Sequence, residues 1–299
     1  MKMKRRKTKV RKIKVFDVIN TLFMIAICFC MIYPIWYVLV NSFSLGTEVL
    51  KGSIYWWPRG FTLESYGAVF KNREIFMAFG VSVLKTVVGT VTSVFFTAMV
   101  AYGLSKPDLV GRKVFMMLGI ITMFFSGGLI PYFLVIRNLG LLDTFWVYII
   151  PALFGFYNAI IFMTFFRNIP VELEESAKID GANDFRIFVS IILPVSMPVI
   201  ATIALFNGVG QWNDYFTGII YITNKQWLIP IQTFLYKVIS ESSATSMTAN
   251  MPASVRSSMV TSTTVKYATM IITTFPIMCV YPFLQKYFVQ GIMVGSVKG

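Results

Sequence analysis

Residues 167–198, RNIPVELEESAKIDGANDFRIFVSIILPVSMP, decide the fold. Glu172, Glu174, Glu175, Asp180 and Asp184 alternate there with Arg167, Lys178 and Arg186, and long apolar runs flank the segment on both sides. Each charge at mid-bilayer costs roughly 2.5–3.5 kcal/mol, so the stretch belongs in water between two membrane spans. It also carries the punctuation of ordered structure. Pro170 suits a first helical turn, and the glutamates after it suit the positive end of a helix dipole. Gly181 can take the left-handed conformation that stops a helix, and Asn183 or Asp184 can cap the next one. The spacing predicts helix, glycine turn, helix: a charged knob on a hydrophobic protein.

Outward from the knob the chain is greasy. Of 299 residues, 56% are hydrophobic and 13% charged, about half the charged share of a soluble domain. The expected architecture is all-α, a polytopic membrane protein with six transmembrane helices and no soluble module. The expected spans are 15–40, 76–104, 114–136, 144–166, 188–222 and 265–288, within a single membrane domain over 15–290. A coupling region occupies 167–190 and a long polar outer loop 223–264. SGGLIP at 126–131 loosens the third span. Lys85, in the second, is expected to snorkel to an interface. Trp56 and Trp57 suit membrane-interface anchors, with sugar stacking as the alternative.

Nine of the 27 Lys and Arg lie in residues 1–14, a basic flank that fits the cytoplasmic side and anionic lipid better than a nucleic-acid arm. The apolar run that follows is too long for a signal peptide core. With the N-terminus inside, the inner segments carry 17 Lys and Arg and the outer ones 9. Both termini are then cytoplasmic, and so is the knob. Cys28, Cys30 and Cys279 sit in apolar runs, where small buried hydrophobes are expected.

Enzyme chemistry finds no support. Without histidine there is no His-based zinc site or catalytic triad, and without a Gly-Lys pair there is no P-loop. No catalytic or metal-binding residue is expected, and no cofactor. The unusual intramembrane cluster is NGVGQWNDYF at 207–216. Asn207, Gln211 and Asp214 share one helical face, with Trp212 and Asn213 beside them. An acid within a span points to a substrate pathway. Hydrogen bonding between helices is the alternative.

Glu175-Ser176-Ala177, three residues, Gly181, nine residues, Ile191-Ile192-Leu193-Pro194 resembles the EAA signature of permease subunits of binding-protein-dependent ABC importers, with Ser176 in place of alanine. LGLLDT at 139–144, QWNDYF at 211–216 and PFLQKYFVQGIMVGSVKG at 282–299 extend the likeness to the smaller, maltose-type permeases of carbohydrate importers and to the lipoprotein-type or polysaccharide permease subgroup. The resemblance implies the type I importer fold in a bacterial plasma membrane. It implies Glu174, Glu175, Ser176, Ala177, Asp180 and Gly181 as the docking site for an ABC ATPase that binds ATP and Mg itself. It further implies a second homologous permease, an extracellular or lipid-anchored sugar-binding protein, a carbohydrate substrate, and a tail at 291–299 that reaches the ATPases. A secondary transporter or channel independent of an ATPase is the rival expectation.

Overall fold

The computed structural model describes residues 15–52, 54–246 and 263–280. The basic flank 1–14, the tail 291–299 and much of the expected outer loop lie outside them. The described residues are mainly helical, with one isolated bridge between Ser44 and Phe61. The described parts of Met1–Tyr66 and Asn250–Ile271 form one compact unit, and those of Gly67–Ala249 and Ile272–Gly299 another.

In the first unit lies α1 (Val15–Ser42), whose apolar window has a mean hydropathy of 2.3 and no buried residue. It is followed by α2 (Gly46–Lys51). Asn41, fully buried, donates to the carbonyls of Tyr37 and Ile54 and so fastens the chain after α1. Trp36 donates to the Trp56 carbonyl at 3.0 Å, and its ring meets Trp57 edge-on, leaving Trp56 and Trp57 exposed. The short helix α3 (Glu64–Lys71) bridges the boundary in sequence.

The second unit is built on α4 (Arg73–Ser105), 33 residues without a proline. Asn72 caps it by accepting from Glu74 N at 2.9 Å. One stripe of α4 is small and buried: Ala78, Ser82, Gly89, Ser93, Thr97 and Ala101. Small side chains let helices approach closely, the usual route to packing where water supplies no driving force. Against that stripe lie α11 (Met197–Asn213) and α7 (Phe156–Phe166). At Gly89 an added Cβ would stand 2.9 Å from Gln211 Nε2, so the missing side chain leaves room for the end of Gln211 over α4.

The expected spans exist as apolar segments, but two of them are broken. α5 (Arg112–Phe124) and α6 (Leu129–Asn138) meet at 117°, where Gly128 takes φ +84°. The knob helix α8 (Glu172–Ile179) leads to α9 (Asp184–Ile187), a π-helical turn (Phe188–Ile192) and α10 (Leu193–Val195), and this rod meets α11 at 84°. Proline and π-turns are the usual causes of such breaks, and Pro194 and Pro198 are both present. The fourth expected span is a 3-10 turn (Phe145–Tyr148) and the short α7. Among the described residues three helices are long and apolar enough to cross a membrane, or up to five spans if each bent pair counts once. The 223–264 stretch is not all loop. After α12 (Phe216–Tyr221) and a 3-10 turn (Gln226–Leu228), α13 runs over Ile231–Ser246. α14 (Thr263–Val280) follows.

Two apolar clusters organise this unit. One gathers Ala98, Ala101 and Tyr102 of α4 with Phe162 and Phe166 of α7, Ala177 of α8, and Ile187, Phe188 and Ile203. The other gathers Ile136, Val147, Tyr148, Tyr221, Leu228 and Ile229 at the opposite end. The three cysteines are exposed, not buried as expected. A thiol facing hydrocarbon avoids water as well as one in a core, so hydrophobicity did not fix its orientation.

Candidate functional site

Two sites emerge in the second unit. The knob is the first. α8 ends in a Schellman arrangement: Ala182 N donates to Ala177 O at 2.9 Å and Gly181 N to Lys178 O at 3.0 Å. Gly181 sits at φ +79° with open space where a Cβ would be, so its conformation, not crowding, calls for glycine. Of the two candidate caps, Asn183 serves, accepting from Arg186 N at 2.8 Å. Pro170 lies just outside the helix, which starts at Glu172 behind Val171 with no side-chain cap.

The six expected docking residues divide. Glu175, Ser176, Asp180 and Gly181 are exposed. Ala177 is buried in the apolar cluster, and Glu174 turns back to form an ion pair with Lys106. Beside the exposed polar edge stand Ile179, 87% exposed, and Phe185, 60% exposed. Sequence reading passed over both. Their signal was an apolar residue inside an otherwise charged segment.

The second site is a cavity of about 310 Å³ between α11, α12, α6 and the 3-10 turn at 145–148. Asn207, Gln211 and Asp214 line it together with Tyr132, Tyr148 and Tyr221. The helical spacing thus brings the expected polar face to one place. Trp212 and Asn213 are not among the lining residues. Trp212 is buried on another side of α11, donating to Thr273 O and meeting Phe79 edge-on, and Asn213 is exposed.

Several polar groups in the wall have definite neighbours. Gln211 Nε2 donates to Tyr148 O at 3.2 Å, and Tyr148 OH to Leu228 O at 3.1 Å. Asp214 Oδ1 accepts from Thr217 N at 3.1 Å. Its Oδ2 accepts from Lys85 Nζ at 3.1 Å, and Lys85 also reaches Asp214 O at 2.9 Å. Lys85 is fully buried, with Nζ 4.8 Å from the Tyr148 ring centroid. It does not snorkel; a carboxylate, a carbonyl and an aromatic face meet its charge inside the protein. The buried small-residue stripe of α4 was the signal, since Lys85 falls in it. Asn207 Nδ2 differs from the rest: it is buried without a partner in the protein, while its Oδ1 stands 3.5 Å from Asn158 Nδ2. That nitrogen is closed off from the cavity as the side chain stands, and a buried polar atom left unpaired is rare in a folded protein.

Beside the cavity-lining Tyr221, whose carbonyl accepts from its N–H at 3.0 Å, Asp143 takes φ +54° and fastens two loops. Its carboxylate accepts from the backbone N–H groups of Thr223, Asn224 and Lys225 and from the side chains of Thr223 and Asn224. These bonds, led by that from Asn224 N, hold its pKa down at about 2.

Among the described residues there is no group of three or more His, Cys, Asp or Glu able to hold a metal. The site offers hydroxyls, amides and aromatic faces, a chemistry of binding.

The family described as "Binding-protein-dependent transport system inner membrane component" matches residues 10–294. The polygalacturonan/rhamnogalacturonan transport system permease protein YtcP of Bacillus subtilis (strain 168) is 42% identical over 289 residues, 96% of this chain and 100% of that protein. Protein LplC of the same strain is 43% identical over 287 residues, 96% of each chain. A crystal structure of a bacterial ABC transporter involved in the import of the acidic polysaccharide alginate contains a chain with a TM-score of 0.83 and 31% identity, covering 94% of this chain and 99% of that one. The match runs through both the knob and the cavity: the chain belongs to the inner membrane components of binding-protein-dependent transport systems.

Proposed function

We propose that this ABC-importer permease passes an oligosaccharide, or a fragment of an acidic polysaccharide, along the cavity walled by Asn207, Gln211 and Asp214. The observation that carries this reading is the convergence of Asn207, Gln211 and Asp214 with Tyr132, Tyr148 and Tyr221 on one cavity of about 310 Å³. That size is at the lower end of small-ligand sites, and tyrosines and amides suit sugar faces and hydroxyls. The saccharide names borne by the relatives agree. Family membership sets aside the ATPase-independent transporter.

In this account the chain crosses a bacterial plasma membrane six times with both termini inside, the bent helix pairs serving as single spans. A second permease completes the pathway, and a sugar-binding protein delivers cargo outside. The exposed edge Glu175, Ser176, Asp180 and Gly181 docks on a separate ATPase, with Ile179 and Phe185 filling apolar pockets beside it. ATP and Mg stay with that ATPase. When the ATPase pair closes, the knob follows, and α11, bent against it, swings the cavity wall between the two sides.

The test is uptake of oligogalacturonides and arabino-oligosaccharides by the reconstituted importer. Asn207→Ala should raise KM for the transported sugar about tenfold with assembly intact, the loss of one or two buried hydrogen bonds. Unchanged KM and kcat for every sugar carried would remove Asn207 from the pathway.

A further inference from the structure

The knob's glutamates are not equivalent. Glu172 and Glu175 face solvent, whereas Glu174 is drawn inward, its side chain 19% exposed. Its partner, Lys106, is the C-cap residue just after α4, 68 positions earlier. Lys106 Nζ also lies 4.1 Å from the centroid of the Tyr102 ring, one turn back on α4. Tyr102 stacks on Phe188 of the π-helical turn. Burial works against the charge on Lys106, but Glu174 and Tyr102 outweigh it and hold its pKa above the ordinary lysine value. This is a half-buried, doubly supported pair, unlike the exposed contact between Lys178 and Asp184 at 3.5 Å.

The other end of the same helix segment carries the second such pair. Lys85 lies 21 residues back along α4, about 30 Å at helical rise, and binds Asp214 in the cavity wall. Between the two the helix is unbroken and free of proline, so it moves as a rod.

We propose that Lys106 and Glu174 are positioning residues that lock the knob to α4, so that displacement of the knob is delivered through Lys85 and Asp214 to the cavity. The inference rests on the knob being the ATPase docking element. Neither residue touches cargo or nucleotide. Cutting the pair leaves docking and nucleotide closure intact and weakens the cavity's response, which the direct connection through α11 then carries alone. A charge-paired helix end is suited to this role because it resists both sliding and rotation of one element on the other, which apolar contact alone permits.

The test uses the whole importer, with Cys28, Cys30 and Cys279 replaced by serine and the cavity residue Thr217 by cysteine. Trapping the ATPases with ADP and vanadate should change labelling of that cysteine by an impermeant maleimide about fivefold or more. In Lys106→Glu or Glu174→Lys, nucleotide should still be trapped, but labelling should change less than about twofold. The double exchange, Lys106→Glu with Glu174→Lys, should recover at least half the response, the remainder lost with the cation over Tyr102. Single variants that respond like the parent overturn the proposal. So do single variants that shed the ATPase, and so does a double exchange with no recovery. Failure of the docking reading looks different: Glu175→Lys then co-purifies with the ATPase and responds like the parent.

Discussion

Removing one member of the Lys85–Asp214 pair should cost more from one side than from the other. The charges stand 3.1 Å apart, with side-chain exposures of 0% for Lys85 and 27% for Asp214. At an effective dielectric of about 20 their attraction is about 5 kcal/mol, most of it spent on desolvating the two ions. Asp214→Asn leaves a fully buried ammonium with neutral partners only, an amide oxygen, a carbonyl and a ring face, and no counter-charge, a situation that costs about 3–5 kcal/mol. Lys85→Met strands a carboxylate that opens on the cavity and keeps its bond from Thr217 N. Water can reach it, so about 1–3 kcal/mol is expected. The double variant, Lys85→Met with Asp214→Asn, removes both charges and should fall within about 1 kcal/mol of the parent. Reversible unfolding of the permease in bicelles by increasing SDS, followed by intrinsic fluorescence, measures all three differences. Equal losses in the two single variants, or a double variant as damaged as Asp214→Asn, would refute the reasoning.

Three further outcomes follow from local geometry. Gly181→Val forces a β-branched residue to φ +79°, costing about 1–2 kcal/mol or more and re-aiming α9; uptake should fall severely while membrane insertion, read by fractionation, is kept. Gly89→Ala meets the mobile end of Gln211, so the protein should assemble normally, but Gln211 is pushed off Tyr148 O and sugar KM should rise about threefold to tenfold in an uptake assay. The Asp143 pKa lies below its ordinary 3.8, so its contribution to loop order is full above about pH 4 and is lost as pH falls through about 2. Protection of the Thr223, Asn224 and Lys225 amides should fade over that window in hydrogen exchange, and should be low throughout in Asp143→Ala.

The knob was legible because its signals are local. A glycine stop, an Asn cap and a run of charge are decided within a few residues, and Gly181 and Asn183 do what their chemistry allows. The apolar segments were legible too, since hydropathy needs no knowledge of direction. For the same reason their breaks were not: Phe125 to Gly128 and Ser196 read as apolar or small whether the chain runs straight or turns by 117° or 84°. α13 was missed because its serines and threonines give the helical period little contrast. Lys85 was misplaced because its partner, Asp214, is 129 residues away, a distance at which only the small-residue stripe around it gave a clue. The polar face of α11 was foreseen at Asn207, Gln211 and Asp214. Trp212 and Asn213 were grouped with it by proximity in sequence, which helical geometry does not respect.

The central claim is that the charged turn at 172–184 meets an ATPase inside the cell. The most direct measurement places a single cysteine at Ser176 in an otherwise cysteine-free chain and applies an impermeant thiol reagent to intact cells and to inverted vesicles. The account predicts no labelling from outside, labelling from inside, and protection there when the ATPase is added back. Labelling in intact cells would contradict it.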